Sequence, residues 1–150
     1  MFSNVQDFHQ DFGHPIGRKP RLLAEDRMKT RQKWTREELD EIDKAMWEQD
    51  IIGVSDGIAD AIYFLLGTAV EMGIPFDEIW QHVHTANMRK KWLVAHTSVC
   101  ETITSDQEHQ RFCTCGVVRY SPERKVLKPE NWHPPEGAIR TSITVACYDE

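Results

Sequence analysis

The stretch from Asp50 to Gly73 constrains this chain more than any other. Asp50 is a good helix N-cap, Gly73 followed by Pro75 is a good stop, and Ile51–Glu71 between them is mostly apolar. A helix so rich in Ile, Leu, Val and Ala must bury a face against another helix. Its core face is expected at Ile58, Ile62, Leu65 and Ala69, with a second stripe at Asp56, Asp60, Tyr63 and Gly67. Asp56 and Asp60 are four apart and share one side, where an acid among apolar neighbours needs a partner.

Three more helices follow from the same kind of pattern. Val5, Phe8 and Phe12 mark a short helix over Phe2–Phe12, ended by Gly13, with a turn at Pro15 and Gly17. Pro20 suits the first turn of a helix running to about Gln49, with Leu39, Ile42 and Met46 toward the core and Trp34, Glu38, Glu41 and Ala45 on the neighbouring face. A competing boundary starts a new helix at Thr35, because Thr35-x-x-Glu38 is a capping box. Pro75 to about Lys91 forms the fourth helix, with Phe76, Ile79 and Val83 inward. The expected fold is all-α, a four-helix bundle with an irregular C-terminal arm. Residues 1–92 would be the helical core and 93–150 an insertion and arm of the same domain. Within the latter, Val117–Tyr120 and Ile139–Cys147 are expected as short strands, and the proline-rich Ser121–Glu136 as an ordered loop.

The charge is concentrated where these helices meet. The chain's 150 residues carry a formal net charge of −6. Between Glu37 and Asp60 nine acids face one base, Lys44, so that window carries −8 and the remainder +2. This balance counts against a nucleic-acid partner. Met1–Asp11 lacks the pattern of a secretory signal, and the longest apolar run, Ala61–Val70, is about half the roughly 20 residues of a membrane span. No membrane association is expected, and the location expected is the cytoplasm (that of the host, if the protein is viral).

Two readings of the acids compete. In one, Glu37, Glu38, Asp40 and Glu41 are the acidic first turn that a helix dipole favours, and Glu38 serves the capping box. In the other, Glu38 and Glu41 on one helix and Asp56 and Asp60 on the next gather four carboxylates, with Glu37 beside them. Lys44 alone cannot neutralise them, and hard oxygen donors without nearby His or Cys suit Mg²⁺ or Mn²⁺. A di-iron bundle does not fit, since Glu78 has Gln81 three residues on and neither His82 nor His84 stands at that offset from an acid.

Glu37-Glu38-Leu39-Asp40-Glu41 has the form E-E-x-x-E, and Asp56 with Asp60 the form D-x-x-x-D, with Gly57 between them. Phe8-His9-Gln10-Asp11-Phe12-Gly13-His14-Pro15 reads F-H-x-x-F-G-x-P, Gly73-Ile74-Pro75-Phe76-Asp77-Glu78 forms a turn, His84–Lys90 contains H-x-x-N-M-x-K, and Lys125-Val126-Leu127-Lys128 precedes Pro134-Pro135. Together and in this order, over roughly 1–91 and 122–136, these segments resemble the all-α nucleoside triphosphate pyrophosphohydrolases of the MazG and phosphoribosyl-ATP pyrophosphohydrolase-like superfamily, in particular a phage and bacterial branch. Gly57 departs from the usual Glu of the second motif, and Asp56 is the substitute ligand.

The resemblance implies a MazG-like fold and hydrolysis of a nucleoside triphosphate to a monophosphate and pyrophosphate. It implies two or three Mg²⁺ or Mn²⁺ ions on Glu38, Glu41, Asp56 and Asp60, with Glu37 orienting the attacking water. Asn87, Lys90, Lys125 and Lys128 would contact phosphate or sugar. Trp34 is placed to stack on a base, with His9 and Phe12 as further candidates, and each has an alternative as core or interface. (d)GTP ranks first as substrate, ahead of dUTP, dCTP or dATP, and a homo-oligomer, dimer or tetramer, is expected. Two rivals remain: a non-catalytic helical module whose acidic face binds a basic partner, and a phosphatase releasing orthophosphate. Cys113 and Cys115, with Cys100 and His96 or His109, are weighed as a zinc site and read instead as reduced thiols.

Overall fold

The computed structural model describes residues 1–90, 110–113 and 116–148. Its elements, in chain order, are α1 (Phe2–Asp11), α2 (Glu25–Trp47), α3 (Ile51–Glu71), α4 (Phe76–Met88), β1 (Gln110–Cys113), β2 (Gly116–Arg119) and α5 (Glu136–Tyr148). The fold is all-α, and among the described residues there is one two-stranded hairpin. Two compact units are present: Met1–Ile79 with Arg140–Glu150, and Trp80–Ile139.

In the first unit α3 is the central helix. Asp50 caps it as expected, accepting from the Ile52 N–H at 3.0 Å. Its C-terminal end closes through Gly73 at φ +66°, a left-handed conformation that places the Ile74 N–H on the Ala69 carbonyl at 3.0 Å. The segment after α1 then satisfies the remaining carbonyls: Gly17 N–H donates to Val70 and Arg21 N–H to Met72. Those bonds tie residues 17–21 to the end of α3, so α2 starts at Glu25 rather than at Pro20. Thr35 lies inside α2, its hydroxyl donating to the Arg31 carbonyl at 3.1 Å, so no helix begins there and Glu38 is not part of a capping box.

The core is smaller than the sequence pattern suggests. Phe2 and Val5 of α1 pack on Leu66, Ala69 and Val70 of α3, with Ile74 and Phe76 completing the cluster. Of the expected core faces only Ile42 and Ala69 are buried; Leu39, Met46, Ile58, Ile62 and Leu65 are 41–56% exposed. The reason is the seam between α2 and α3, which runs through Ala45, Gly53, Gly57 and Ala61 and so turns the larger residues outward. Helix α3 taken whole is also long and apolar enough to cross a membrane, which the run Ala61–Val70 alone is not.

In the second unit β1 and β2 pair antiparallel, Gln110 opposite Arg119 and Cys113 opposite Gly116. Tyr120 and Val126 form a further bridge that closes the turn at Pro122–Lys125. The expected strand at Val117–Tyr120 is thus present in β2, whereas Ile139–Cys147 is not a strand but most of α5. Pro134 and Pro135 precede that helix, Glu136 supplies an acidic first turn, and Thr144 hydrogen-bonds back to the Arg140 carbonyl. Each β-branched residue costs a helix only about 0.5 kcal/mol, too little to outweigh those start signals. Of the cysteines, Cys147 is a free thiol, half-buried, with its Sγ 4.0 Å from the Pro20 carbonyl oxygen, and the zinc reading of Cys100, Cys113 and Cys115 rests on side chains outside the described residues.

Candidate active site on the α2–α3 seam

Helices α2 and α3 run antiparallel, and the seam between them has two contrasting ends. At one end Arg27 donates twice to Glu71, at 2.7 and 2.5 Å, and the Arg31 guanidinium lies 3.5 Å from the same carboxylate. Arg31 also donates to the Thr68 hydroxyl at 3.0 Å and to the Phe64 carbonyl at 2.6 Å. Burial pushes the Glu71 carboxyl up, but the Arg27 hydrogen bonds and the charges of Arg31, Arg27 and His9 hold it below the usual carboxylate range. His9 is buried beside this network, donating from Nδ1 to the Pro15 carbonyl at 2.8 Å. Burial lowers its pKa, and neighbouring Arg31 lowers it further.

Trp34 belongs to the same end. Its ring packs on Phe64 at 5.8 Å, and the Arg27 and Arg31 guanidiniums lie 5.1 and 5.4 Å from its centroid. The indole is therefore engaged in helix packing and cation–π contacts. His9 is likewise held inside, whereas Phe12 is exposed.

One and two turns further along α2 lie Glu38 and Glu41. The register is fixed by Gly57, which is buried against α2: a Cβ there would lie 2.8 Å from Ile42 Cγ1 and 3.6 Å from the Glu38 carbonyl oxygen. Bare backbone at Gly57 lets the helices approach at the level of Glu38 and brings the flanking Asp56 and Asp60 to the same end. A glutamate side chain at 57 would have to pass through the helix contact, so the acids on α3 are Asp56 and Asp60. Burial raises the Glu38 pKa first, and the charges of Glu41, Asp60, Glu37 and Asp56 raise it further.

Little compensates these acids. Glu37 is paired with Lys33 at 3.4 Å, and Lys44 with Glu48 at 4.0 Å, each an exposed i, i+4 pair. Among the described residues no ion pair engages Glu38, Glu41, Asp56 or Asp60, and no three His, Cys, Asp or Glu side chains stand close enough to hold a metal ion as placed. The donor chemistry nevertheless fits a hard divalent cation, since the donors are carboxylate oxygens and Glu38 feels four like charges.

The other residues implicated from sequence lie in the second unit. Asn87 is exposed near the end of α4, and Lys90 follows it. Trp132 donates its indole N–H to the Ala86 carbonyl at 2.7 Å, and the ammonium groups of Lys128 and Lys90 lie 4.2 and 5.8 Å from its ring centroid. Lys125 is exposed in the turn that Ser121 closes. The sequence pattern did not single out Trp132, Arg27, Arg31 or Glu71. A buried Glu at the end of an apolar helix was the available signal for the last.

An antiparallel helix pair with clustered carboxylates at one end, in an otherwise all-α chain, is the architecture of the MazG-like pyrophosphohydrolases. The family model of phosphoribosyl-ATP pyrophosphohydrolase matches residues 5–87, more than half of the chain, and the chain belongs to that family. No curated protein matches it.

Proposed function

We propose that the chain is a divalent-metal-dependent nucleoside triphosphate pyrophosphohydrolase, converting a (d)NTP and water to a (d)NMP and pyrophosphate. The observation that carries this is the group of carboxylates on α2 and α3 that no ion pair engages among the described residues, where burial first and then the charges of four neighbouring acids raise Glu38. Glu38, Glu41, Asp56 and Asp60 would hold Mg²⁺ or Mn²⁺, two or three ions, which when bound neutralise phosphate charge and acidify a water. Glu37 would orient the water that cleaves the triphosphate between its α and β phosphates. Asn87, Lys90, Lys125 and Lys128 would engage phosphate or sugar, and the Trp132 ring would keep Lys90 and Lys128 directed to one place.

A dimer or tetramer is proposed, and the outward apolar faces support it. Leu39 and Met46 on α2 and Ile58, Ile62 and Leu65 on α3 form a contiguous exposed stripe on the opposite side of the seam from Glu41 and Asp60. A groove of about 350 Å³ between Met28, Gln32, Thr35, Leu65 and Met72 opens on that same side. A second copy would complete the bundle there, leaving the acids facing solvent. The cytoplasm, where nucleotide pools and Mg²⁺ are found, is the proposed location.

Incubating the protein with each NTP and dNTP plus Mg²⁺ or Mn²⁺, and resolving the products, tests the reading. A nucleoside monophosphate and pyrophosphate in equal amounts are expected, with dGTP and GTP the first substrates to try. Orthophosphate as the first product, or no turnover of any nucleotide, overturns it.

A further inference from the structure

We propose that Phe8, Phe12, His14 and Tyr63 form the surface on which the base of a purine nucleotide stacks, an assignment that rests on the pyrophosphohydrolase reading. Phe8 is the centre of the cluster. Phe12 stacks on it with centroids 4.5 Å apart and planes at 27°, His14 stacks at 5.6 Å and 20°, and Tyr63 meets it edge-on at 5.5 Å and 89°. The sequence builds this locally. Phe8 and Phe12 are four apart at the end of α1, and Gly13 at φ +70° then reverses the chain. The His14 N–H returns to the His9 carbonyl at 2.8 Å, which sets the imidazole against Phe8.

Four aromatic rings that meet this closely ordinarily become core. Here the cluster stays open: Phe12 is 69% exposed and Tyr63 39%. Among the described residues Phe8 is the only ring that Phe12 stacks on, so its outer face is available to a flat ligand. Trp34, by contrast, is already occupied by Phe64 and two guanidiniums.

Position identifies the ligand. Tyr63 continues the Asp56–Asp60 stripe of α3, and helix geometry puts it about 4.5 Å along the axis from Asp60 and about 10.5 Å from Asp56. A sugar bridges a separation of that order between a base and its polyphosphate. A nucleotide lying along α3 with its phosphates at the aspartates therefore brings its base to Tyr63 and Phe12. Stacking is indifferent to hydrogen-bond pattern and grows with ring area, so the class favoured is purine over pyrimidine. The exposed apolar stripe of Leu39, Ile58 and Leu65 lies on the other side of the seam, which separates this cluster from the face assigned to a second copy.

The test compares steady-state constants for purine and pyrimidine dNTPs with those for inorganic tripolyphosphate, which has phosphates but no base. Phe12→Ala is expected to raise KM for purine nucleotides about tenfold with kcat nearly unchanged, to leave inhibition by tripolyphosphate unaltered, and to be rescued by Phe12→Trp. Tyr63→Leu should act in the same direction. Unchanged KM in both variants overturns the proposal, as does an equal loss of tripolyphosphate binding or a change of oligomeric state in place of a change in KM. Should the wild-type protein turn over no nucleotide, calorimetric titration with an α,β-methylene purine triphosphate decides separately. Weaker binding by Phe12→Ala then sustains the stacking surface while the catalytic reading falls, and equal binding overturns the surface too.

Discussion

The two ends of the α2–α3 seam are built from the same two helices and differ in one respect, whether their charges are matched. At the Arg27–Glu71 end a fully buried carboxylate is met by two guanidiniums and their hydrogen bonds. At the Glu38–Asp60 end the acids face each other, and burial together with their charges raises Glu38. Burying ions is costly unless they are paired, so the first end is a structural joint that loses stability when either partner is removed. Exposed like charges repel one another, and an end that keeps them is held in a state that a cation relieves. One helix pair thus carries a matched end and an unmatched end along its length.

The sharpest break in this comparison is Glu38→Gln. It should lower pyrophosphate release by at least about a hundredfold, because the proposed site would lose one of its metal ligands. The melting temperature should stay level or rise, since a repelling charge is removed. Mg²⁺ or Mn²⁺ should stabilise the wild-type protein, by about 2.7 kcal/mol at a hundred times its Kd, and stabilise the variant much less. A variant that keeps full activity removes Glu38 from the site, and one that unfolds shows this end to be structural after all.

The opposite result is expected from Glu71→Ala. Two guanidiniums would be left facing a cavity inside the helix pair, a change that typically costs about 3–5 kcal/mol. Urea unfolding measures it directly. Activity per folded molecule should change far less than stability does.

Acid sharpens the same contrast more gently. Glu71 is held below its ordinary range, so its contribution is complete above about pH 4.3 and is lost as pH falls through the lower folded value. His9 is also lowered: below about pH 6.5 the unfolded chain takes up a proton that the folded His9 resists, and stability declines from there. Two steps of decline are therefore expected in unfolding free energy as pH falls from neutrality, the first from His9 and the second from Glu71. Glu71→Gln should remove the lower step, and a flat profile in the wild-type protein would contradict the buried network.

The sequence made much of this architecture legible, and the exceptions share a cause. The four helices, the Asp50 cap and the stop at Gly73 are written in local signals and are present, although α2 starts at Glu25 rather than at Pro20. Which face of α2 and α3 turns inward is a pairwise property. Leu39, Ile58 and Leu65 look like core by periodicity, yet Ala45, Gly53 and Gly57 allow the closer approach and take the seam. Helix α5 was obscured because β-branched residues vote for strand by propensity while the preceding proline pair and Glu136 decide the outcome. For the candidate site, the spacing of Glu38, Glu41, Asp56 and Asp60 was visible. The packing of Trp34 on Phe64 was not, because the two residues stand 30 positions apart in the chain.

Gly57 offers the smallest and most discriminating perturbation, because it touches the acidic end without altering a charge. Alanine gains about 1 kcal/mol of helix propensity over glycine, which favours the variant. Its Cβ would sit 2.8 Å from Ile42 Cγ1, and Ile42 is buried with little freedom to turn away. Overpacking of this kind costs about 1–3 kcal/mol, so a net loss of about 1 kcal/mol is expected for Gly57→Ala in urea unfolding. The strain can also be relieved by parting the helices at that level. Doing so would carry Asp56 and Asp60 away from Glu38 while leaving the Arg27–Glu71 end closed. Activity should then fall several-fold, more than the stability loss accounts for, with the metal concentration needed for half-maximal rate raised. If activity and metal dependence stay unchanged while stability drops, Gly57 serves packing alone, and helix separation does not tune the acidic end.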